Sequence, residues 1–194
     1  IQTYLTSNAV IWAKGGGDLT IKDTNLTVYN SHGYIDATGG TVAGVMAAGS
    51  ILVDGATINV DGGKKSTALR TATASGSGLT SPAYGITIKH NANVVCTSGS
   101  VITLQTNGPI VIDNSSVKLH KGTANYKPVF NKAPEIIGSY SSMKAGCGSL
   151  SKTYPGTYDV TPGLAVAESQ RLTDFELIHK HVSIDCTKES LCAC

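Results

Sequence analysis

Charge is scarce in this sequence, and arginine is almost missing. Charged residues make up 14% of the 194 residues, and the formal net charge is +2. Only two of the 15 basic residues are arginine, Arg70 and Arg171. Nucleic-acid-binding proteins usually carry a clustered basic patch rich in Lys and Arg. We therefore expect no nucleic-acid partner for this chain.

The sequence also lacks a long apolar run and an even set of cysteines. No stretch approaches the roughly 18 apolar residues that a membrane-spanning helix needs, so we expect no membrane insertion. The chain starts at Ile1 without a Met or a signal peptide, which indicates a mature product or an excised piece. Five cysteines, three of them within the last nine residues, are not the framework of a small disulfide-stapled domain.

What the sequence does contain is glycine, at 22 residues, with abundant Thr, Ser and Asn. That mixture is typical of many short strands joined by tight turns. At 20.0 kDa the chain fits one domain with a small appendage.

A short alternating pattern recurs along the chain. In GDLTIKDTNLTV, residues 17–28, apolar residues occupy alternate positions in two bursts, which read alone indicates a hairpin. The same offsets return in GSILVDGATINV from Gly49, in GPIVIDNSSVKL from Gly108 and, with one extra turn residue, in YGITIKHNANVVC from Tyr84. We call these four segments the copies, and their recurrence indicates a repeat architecture.

A third alternating segment precedes most copies, as in AVIWAKG, TVAGVMAAG and SVITLQTNG. Before the third copy lies a long Gly/Ser/Thr-rich stretch in which Leu69 could supply a strand. Three short strands with inward apolar positions describe one rung of a parallel β-helix, whose rungs must stack to bury enough surface. We predict an all-β chain folded as a right-handed parallel β-helix (β-solenoid) with irregular three-strand rungs. An antiparallel sandwich of hairpins is the alternative, but it does not explain identical offsets in four copies.

The outward positions of the copies support the stacked arrangement. Directly after the second apolar residue come charges of alternating sign, which would form a ladder on the outside: Lys22, Asp54, Lys89 and Asp113. One position later come residues suited to a turn with positive φ, namely Asp23, Gly55, His90 and Asn114. We interpret both sets as structural.

Many parallel β-helices are polysaccharide lyases or hydrolases, so catalysis must be considered. A lyase would need an acidic cluster for Ca²⁺ with a nearby Arg or Lys base. Asp54 and Asp113 would lie two rungs apart with Lys89 between them, which is too far for the two carboxylates to share one calcium ion. Arg70, the only arginine near the predicted strands, is expected in a loop. We therefore expect no catalysis and no catalytic residues, with a lyase-type enzyme as the alternative.

Aromatic residues are the candidates for ligand binding. Trp12, Tyr29, Tyr34 and Tyr84 could form a face on which sugars stack, although aromatics in such folds also cap the ends of the core. His32, His90 and His120 are widely spaced and are expected at turns or rung edges.

After Leu119 the pattern fades. We predict one final rung from Val129 and Phe130 with Ile136 and Ile137, so that the solenoid covers residues 1–138. A capping or linker region over residues 139–178 follows, since an open solenoid end exposes core and strand edges. Within it, residues 164–178 could form a short helix or a pair of strands.

The tail, residues 179–194, concentrates soft metal ligands: His179, His181, Cys186, Cys192 and Cys194. These residues could bind zinc, although their spacing is not that of a zinc finger. A disulfide among the cysteines is the alternative outside the cell. Cys96 occupies an inward position, which favours a buried thiol over pairing with Cys147.

The rungs VIWAKGGGDLTIKDTNLTVYN and AGVMAAGSILVDGATINVDGG resemble the repeats G-[DN]-[LI]-T-I-x-G-G-T-[VI]-x-[VA] of large surface proteins of Gram-positive gut bacteria. Those proteins contain carbohydrate-binding and adhesin-like parallel β-helix domains. The tail HVSIDCTKESLCAC resembles the opening of the His/Cys-containing repeats that follow such solenoids. The resemblance covers residues 8–138 and 179–194 and carries over no active-site residue.

The resemblance implies an extracellular module on a bacterial cell surface, part of a larger multidomain chain, with a truncated following module at residues 179–194. Its partner would be a polysaccharide or a host or cell-surface glycan. We therefore expect a non-catalytic adhesin-like or glycan-binding solenoid, with a purely structural spacer as a further alternative.

Overall fold

A computed structural model describes residues 9–13, 15–30, 43–63, 67–72, 83–98, 102–121, 129–147, 150–158 and 174–179. Every regular element in these ranges is a β-strand, so the all-β prediction is confirmed. The described residues contain no helix long and apolar enough to cross a membrane. The strands are β1 Ala9–Ala13, β2 Leu19–Lys22, β3 Asn25–Tyr29, β4 Ala43–Ala47, β5 Ile51–Asp54, β6 Thr57–Asp61, β7 Thr67–Thr71, β8 Ile86–Lys89, β9 Asn93–Ser98, β10 Leu104–Gln105, β11 Ile110–Asp113, β12 Ser116–Lys121, β13 Glu135–Ile137, β14 Tyr140–Cys147, β15 Leu150–Tyr158 and β16 Asp174–His179.

The strands form three sheets. The first sheet has the order β1-β4-β7-β10, and the second has the order β13-β11-β8-β5-β2. Both are parallel throughout. The third sheet has the order β15-β14-β16-β12-β9-β6-β3, in which β3, β6, β9 and β12 are parallel and the remaining pairs are antiparallel. Through most of the chain, each strand thus pairs with the strand three places further along.

The pairing register follows the repeated offsets. Leu19 lies opposite Ile51, which lies opposite Ile86, and each is the first apolar position of its copy. The two strands of the opening stretch belong to different sheets, β2 to the second and β3 to the third. The hairpin interpretation is therefore wrong for this stretch, and the prediction that its strands pair with other copies is confirmed.

One apolar core gathers the inward side chains of all three sheets. Along β5 and β8 buried and half-buried residues alternate, as the period of two along a strand requires. Cys96 is fully buried in this core as a free thiol, as its inward position predicted, and burial raises its pKa. A thiol held protonated in an apolar core is chemically inert.

The turns between the two strands of each copy take the predicted left-handed conformation. The φ angles are 46° at Asp23, 61° at Gly55, 58° at His90 and 43° at Asn114. In the third copy Asn91 also has a positive φ, of 59°, and it is the extra residue of that turn. Asn, Asp and Gly tolerate this conformation best, which explains their use here.

The residues predicted to form a final rung add one strand to the second sheet and one bridge to the first sheet. Ile136 is buried in β13, whereas Ile137 is 40% exposed and points outward. In the first sheet the rung is only a bridge between Leu104 and Phe130. Beyond it, the Asn131 side chain replaces a strand backbone: its Nδ2 donates to the Thr106 carbonyl at 2.6 Å, and its Oδ1 accepts from the Thr106 N–H at 3.0 Å.

After β13 the chain changes to antiparallel pairing. β14 pairs with β15 and with β16, and β16 pairs with β12 of the parallel part. The stretch whose secondary structure was left open thus ends in a strand, β16. Phe175 on β16 reaches the core, where its ring meets that of Phe130 edge to face at a centroid distance of 5.1 Å.

Candidate functional site

The structure does not bring the candidate aromatic residues to one sheet. Trp12 lies on β1 in the first sheet, half-buried and packed beside Met46. Tyr29 lies on β3 in the third sheet and is 40% exposed. Tyr84 lies just before β8, where its carbonyl accepts hydrogen bonds from the hydroxyls of Thr71 and Thr106. Tyr34 lies outside the described residues.

Tyr29 belongs to a regular array on the outer face of the third sheet. In the four parallel strands β3, β6, β9 and β12, alternate residues point away from the core, and their partners align across the strands. We call this array the outer grid. Its three rows are Asn25, Thr57, Asn93 and Ser116; Thr27, Asn59, Val95 and Lys118; and Tyr29, Asp61, Thr97 and His120.

The outer grid is an ordered surface of hydrogen-bonding groups. Neighbouring strands stand about 4.8 Å apart, so each row presents side chains at about that interval, and all of them are polar except Val95 and the amphipathic Tyr29. Amides supply both donors and acceptors, and hydroxyls can act as either. Tyr29 adds an amphipathic ring at one corner. A flat surface of this kind can bind an extended polymer that crosses several strands.

At β12 the grid becomes charged. The Lys118 Nζ lies 3.6 Å from a carboxylate oxygen of Glu176, and His120 pairs with Asp174. Both carboxylates belong to β16, the antiparallel neighbour of β12. On β3, β6 and β9, Asp61 is the only charged residue of the grid.

The acidic residues considered for catalysis are held by protein groups. Asp54 Oδ1 lies 2.6 Å from Nδ1 of His90, and its other oxygen lies 3.8 Å from the Lys89 Nζ. The hydrogen bond from His90 is the largest cause that lowers the pKa of Asp54 below its usual 3.8. Asp113 accepts a hydrogen bond of 2.7 Å from the Asn114 side chain. Both carboxylates thus stabilise turns between the second and third sheets.

The predicted charge ladder is present in part. Lys22 aligns with Asp54, and Asp54 with Lys89, as the offsets required. The Lys22 Nζ, however, lies 3.9 Å from a carboxylate oxygen of Asp23, the next residue in the chain. The turn places the Asp23 carboxylate beside Lys22. The ladder is therefore limited to the pair of Asp54 and Lys89 and is not a continuous row.

Arg70 is placed differently from the expectation. It lies on strand β7, not in a loop, and it is only 4% exposed. Its Cα partners are Met46 and Gln105 on the neighbouring strands. Burial lowers the pKa of the guanidinium from its ordinary value. Because Leu69 faces the core, Arg70 occupies the other face of the first sheet, which is also covered.

Of the tail residues, the structure describes only His179, at the end of β16. Its Nδ1 lies 2.9 Å from the Ser139 carbonyl, and its ring lies edge to face against Tyr140 at 5.7 Å. The remaining candidate ligands, His181, Cys186, Cys192 and Cys194, lie outside the described residues. Within the described ranges, no group of three or more His, Cys, Asp or Glu side chains could hold a metal ion.

Sequence reasoning overlooked most of the outer grid. The outward positions that the sequence analysis interpreted are the charged and turn residues, and no role was predicted for the amides and hydroxyls on the last strand of each copy. The signal was present, since Thr27, Asn59 and Val95 occupy equivalent offsets in successive copies.

Comparison of the chain with protein-family models, with curated proteins and with solved structures finds no match.

Proposed function

We propose that this protein is a non-catalytic, adhesin-like module that binds an extended glycan on a right-handed parallel β-helix. The strand order supports the winding, since from β1 to β12 each of the three sheets takes every third strand in parallel pairing. Side chains from all three sheets share one core, as expected for three walls of a solenoid. Right-handed crossover between parallel strands is the strong general preference.

The observation that carries the binding proposal is the outer grid. Sugars present hydroxyl groups at regular intervals, and amide, hydroxyl and carboxylate side chains pair with them as donors and acceptors. An exposed aromatic ring adds an apolar surface for the C–H face of a sugar. Over β3, β6 and β9 the grid carries amides and hydroxyls with one acid, Asp61, and no basic residue, which favours a neutral polysaccharide that crosses the strands.

The proposed location is the outside of a bacterial cell, as part of a larger multidomain chain. It rests on the likeness of the repeats to those of Gram-positive surface proteins. This setting is compatible with the low charge of the chain and with the Thr, Ser and Asn residues on the outer face. There the solenoid would also hold the binding face at a distance from the bacterial cell wall.

The experiment is a glycan array followed by calorimetry with the retained glycan. Tyr29→Ala should weaken binding by about tenfold or more, because loss of one stacking residue in a contact surface costs on the order of 1–2 kcal/mol. Thr27→Ala tests one hydroxyl of the grid. Thr87→Ala, on the outward side of the second sheet, is the matched control and should bind as the wild type does.

Two results would contradict the proposal. A wild-type protein that retains no glycan would favour a purely structural spacer. Cleavage of a uronic-acid polysaccharide, detected by absorbance of the unsaturated product, would favour a lyase-type enzyme instead.

A further inference from the structure

The turn between β10 and β11 contains the single Asn-Gly dipeptide of the sequence, Asn107-Gly108. Asparagine is chemically labile, and most so before glycine, because glycine leaves its own nitrogen unhindered for attack on the asparagine side chain. The reaction, deamidation, replaces the asparagine amide with a carboxylate. We call the segment from Thr106 to Gly108 the corner, since it joins the first sheet to the second.

Close backbone packing explains why glycine occupies position 108. A Cβ there would lie 2.5 Å from the Tyr84 carbonyl oxygen and closer still to the carbonyl oxygen of Ala83. These are backbone atoms, which cannot turn aside as the end of a long side chain can. A residue other than glycine would therefore push the two segments apart. The labile dipeptide follows from this packing, and its reactivity depends on how the fold holds the reacting atoms.

Deamidation begins when the Gly108 nitrogen loses its proton to a base and attacks Cγ of Asn107. The new N–Cγ bond closes a cyclic imide, the Cγ–Nδ2 bond breaks, and the leaving nitrogen takes a proton from water and departs as ammonia. Water then opens the imide at either carbonyl, which gives aspartate or isoaspartate. The reaction thus requires that base reach the Gly108 N–H and that this nitrogen rotate toward the Asn107 side chain.

The fold shields the Gly108 N–H from base. This buried N–H donates to the Tyr84 carbonyl at 3.0 Å and to the Thr106 hydroxyl at 3.2 Å. The Thr106 hydroxyl is fixed in turn, since it donates to the Tyr84 carbonyl and lies 2.8 Å from the Thr71 hydroxyl. The Thr106 residue is 0% exposed. A buried, hydrogen-bonded N–H exchanges its proton only when the structure around it opens.

The corner also resists the rotation that the reaction requires. The Asn131 side chain binds both backbone groups of Thr106, at 3.0 Å to the N–H and at 2.6 Å to the carbonyl. The Lys132 Nζ donates to the Asn107 carbonyl, which belongs to the same planar peptide group as the Gly108 nitrogen. Rotation of that peptide group toward Cγ of Asn107 would break the contacts at both of its ends together.

We propose that Asn107 is a latent deamidation site, which the corner keeps closed and which local opening of the corner exposes. The Thr106 hydroxyl is the positioning group, because it accepts from the Gly108 N–H and connects it to Thr71. The product carries a carboxylate beside Lys132, and its isoaspartate form has an additional carbon in the backbone of the turn. The proposal is independent of glycan binding and of the solenoid winding.

Mass spectrometry of the full chain, incubated at mildly alkaline pH, tests the proposal. Trypsin releases residues 90–118 as one peptide, which contains Asn107 together with Asn91, Asn93 and Asn114 as internal references. In urea, Asn107 should deamidate fastest of the four. In the folded wild type it should react at least about tenfold more slowly than in urea, because the corner must first lose its buried hydrogen bonds.

Thr106→Val removes the hydroxyl and keeps the shape of the side chain. The folded variant should deamidate at Asn107 roughly tenfold faster than the wild type, the factor expected for one buried hydrogen bond, and at the wild-type rate in urea. Thr106→Ser retains the hydroxyl and should restore the slow rate. Ile88→Ala, in the core on β8, is the control for global stability and should react as the wild type does.

Lys132→Ala provides a second variant at an exposed residue, which does not depend on a changed interior. It should also accelerate the reaction in the folded protein. Equal rates for the wild type in buffer and in urea would overturn the proposal, since the fold would then give no protection. So would an acceleration in Ile88→Ala as large as that in Thr106→Val, because Asn107 would then react from the globally unfolded chain. Folded variants at Thr106 and Lys132 that are both as slow as the wild type would equally overturn it.

Discussion

The parallel part of the molecule, β1 to β13, and its antiparallel end, β14 to β16, are built on different rules. In the parallel part a strand pairs with the strand three places along, and the register follows the repeat. In the antiparallel end, β16 lies between β12 and β14, although it comes last in the chain. A strand that follows both of its neighbours in sequence cannot be placed by any repeat.

This difference predicts in which region substitutions should lower the free energy of unfolding most. On the inner strands of the parallel part, such as β5 and β8, each inward side chain is stacked between two others, so a substitution there disturbs neighbours on both sides. The antiparallel end is joined to that stack through β12, the rings of Phe130 and Phe175, and Tyr140. Four predictions test how strongly the two regions depend on each other.

The largest effect is expected in the middle of the parallel part. Ile88 is fully buried between Val53 and Ile112 of the neighbouring strands. Ile88→Ala should lower the free energy of unfolding by about 2–5 kcal/mol, because the lost contacts leave a cavity. Urea unfolding measures it. Ile137→Ala, at an exposed position, should stay within about 0.5 kcal/mol of the wild type, and an equal loss at both sites would contradict the stacked core.

The contact between Phe130 and Phe175 should couple the two regions. Their edge-to-face geometry at 5.1 Å predicts a coupling energy of about 0.5–1.5 kcal/mol in a double-mutant cycle of Phe130→Leu and Phe175→Leu. The free energies of unfolding of the four proteins provide it. Strictly additive losses would mean that the antiparallel end packs on the parallel part without this ring pair.

Tyr140 should contribute a hydrogen bond at the same junction. Its hydroxyl donates to the Ile137 carbonyl at 2.7 Å, so Tyr140→Phe should cost about 0.5–1.5 kcal/mol at neutral pH. Burial raises the pKa of Tyr140 from 10.0 to about 12. The unfolded chain therefore loses this proton first, and the advantage of the wild type should shrink as the pH rises from 10 to 12. An advantage that stays constant over that range would contradict the burial of the phenol.

The smallest effect is expected at the exposed turn of the parallel part. His90 holds the pKa of Asp54 below its usual 3.8, so the ionised carboxylate stabilises the fold above that pH and the contribution is lost as the pH falls further. Thermal unfolding between pH 6 and pH 2 should show that the melting temperature falls more steeply with decreasing pH for the wild type than for Asp54→Asn. His90→Ala should flatten the wild-type curve in the same way, and a His90→Ala curve as steep as that of the wild type would remove His90 as the cause.

Much of the parallel part could be predicted because the same pattern of alternating apolar residues occurs in four copies. Ile51 and Ile86 occupy the same offset within their copies, and this predicted that they pair. The position of Gly55 in the turn between two strands predicted its positive φ. For the candidate site, Tyr29 was predicted as one of four aromatic residues on which sugars could stack, and its exposure comes from the structure. The amides and hydroxyls beside it were not, because a single outward Asn or Thr carries no signal until strands align it with others.

Arg70 shows the opposite failure. Its surroundings in sequence are rich in Gly, Ser and Thr and indicate a loop, yet Arg70 lies within β7, which pairs with β4 in the first sheet. The pairing of Leu69 with Val45 buries one face of β7, and this gain outweighs the local preference for irregular backbone.

The amino-acid sequence by itself determined the inward positions, the turns and the parallel register, because each depends on a period of two repeated at equal offsets. The tertiary structure alone decided which outward residues form a common surface and how β16 extends the third sheet. These features depend on neighbours that are distant in the chain, and no local period records them.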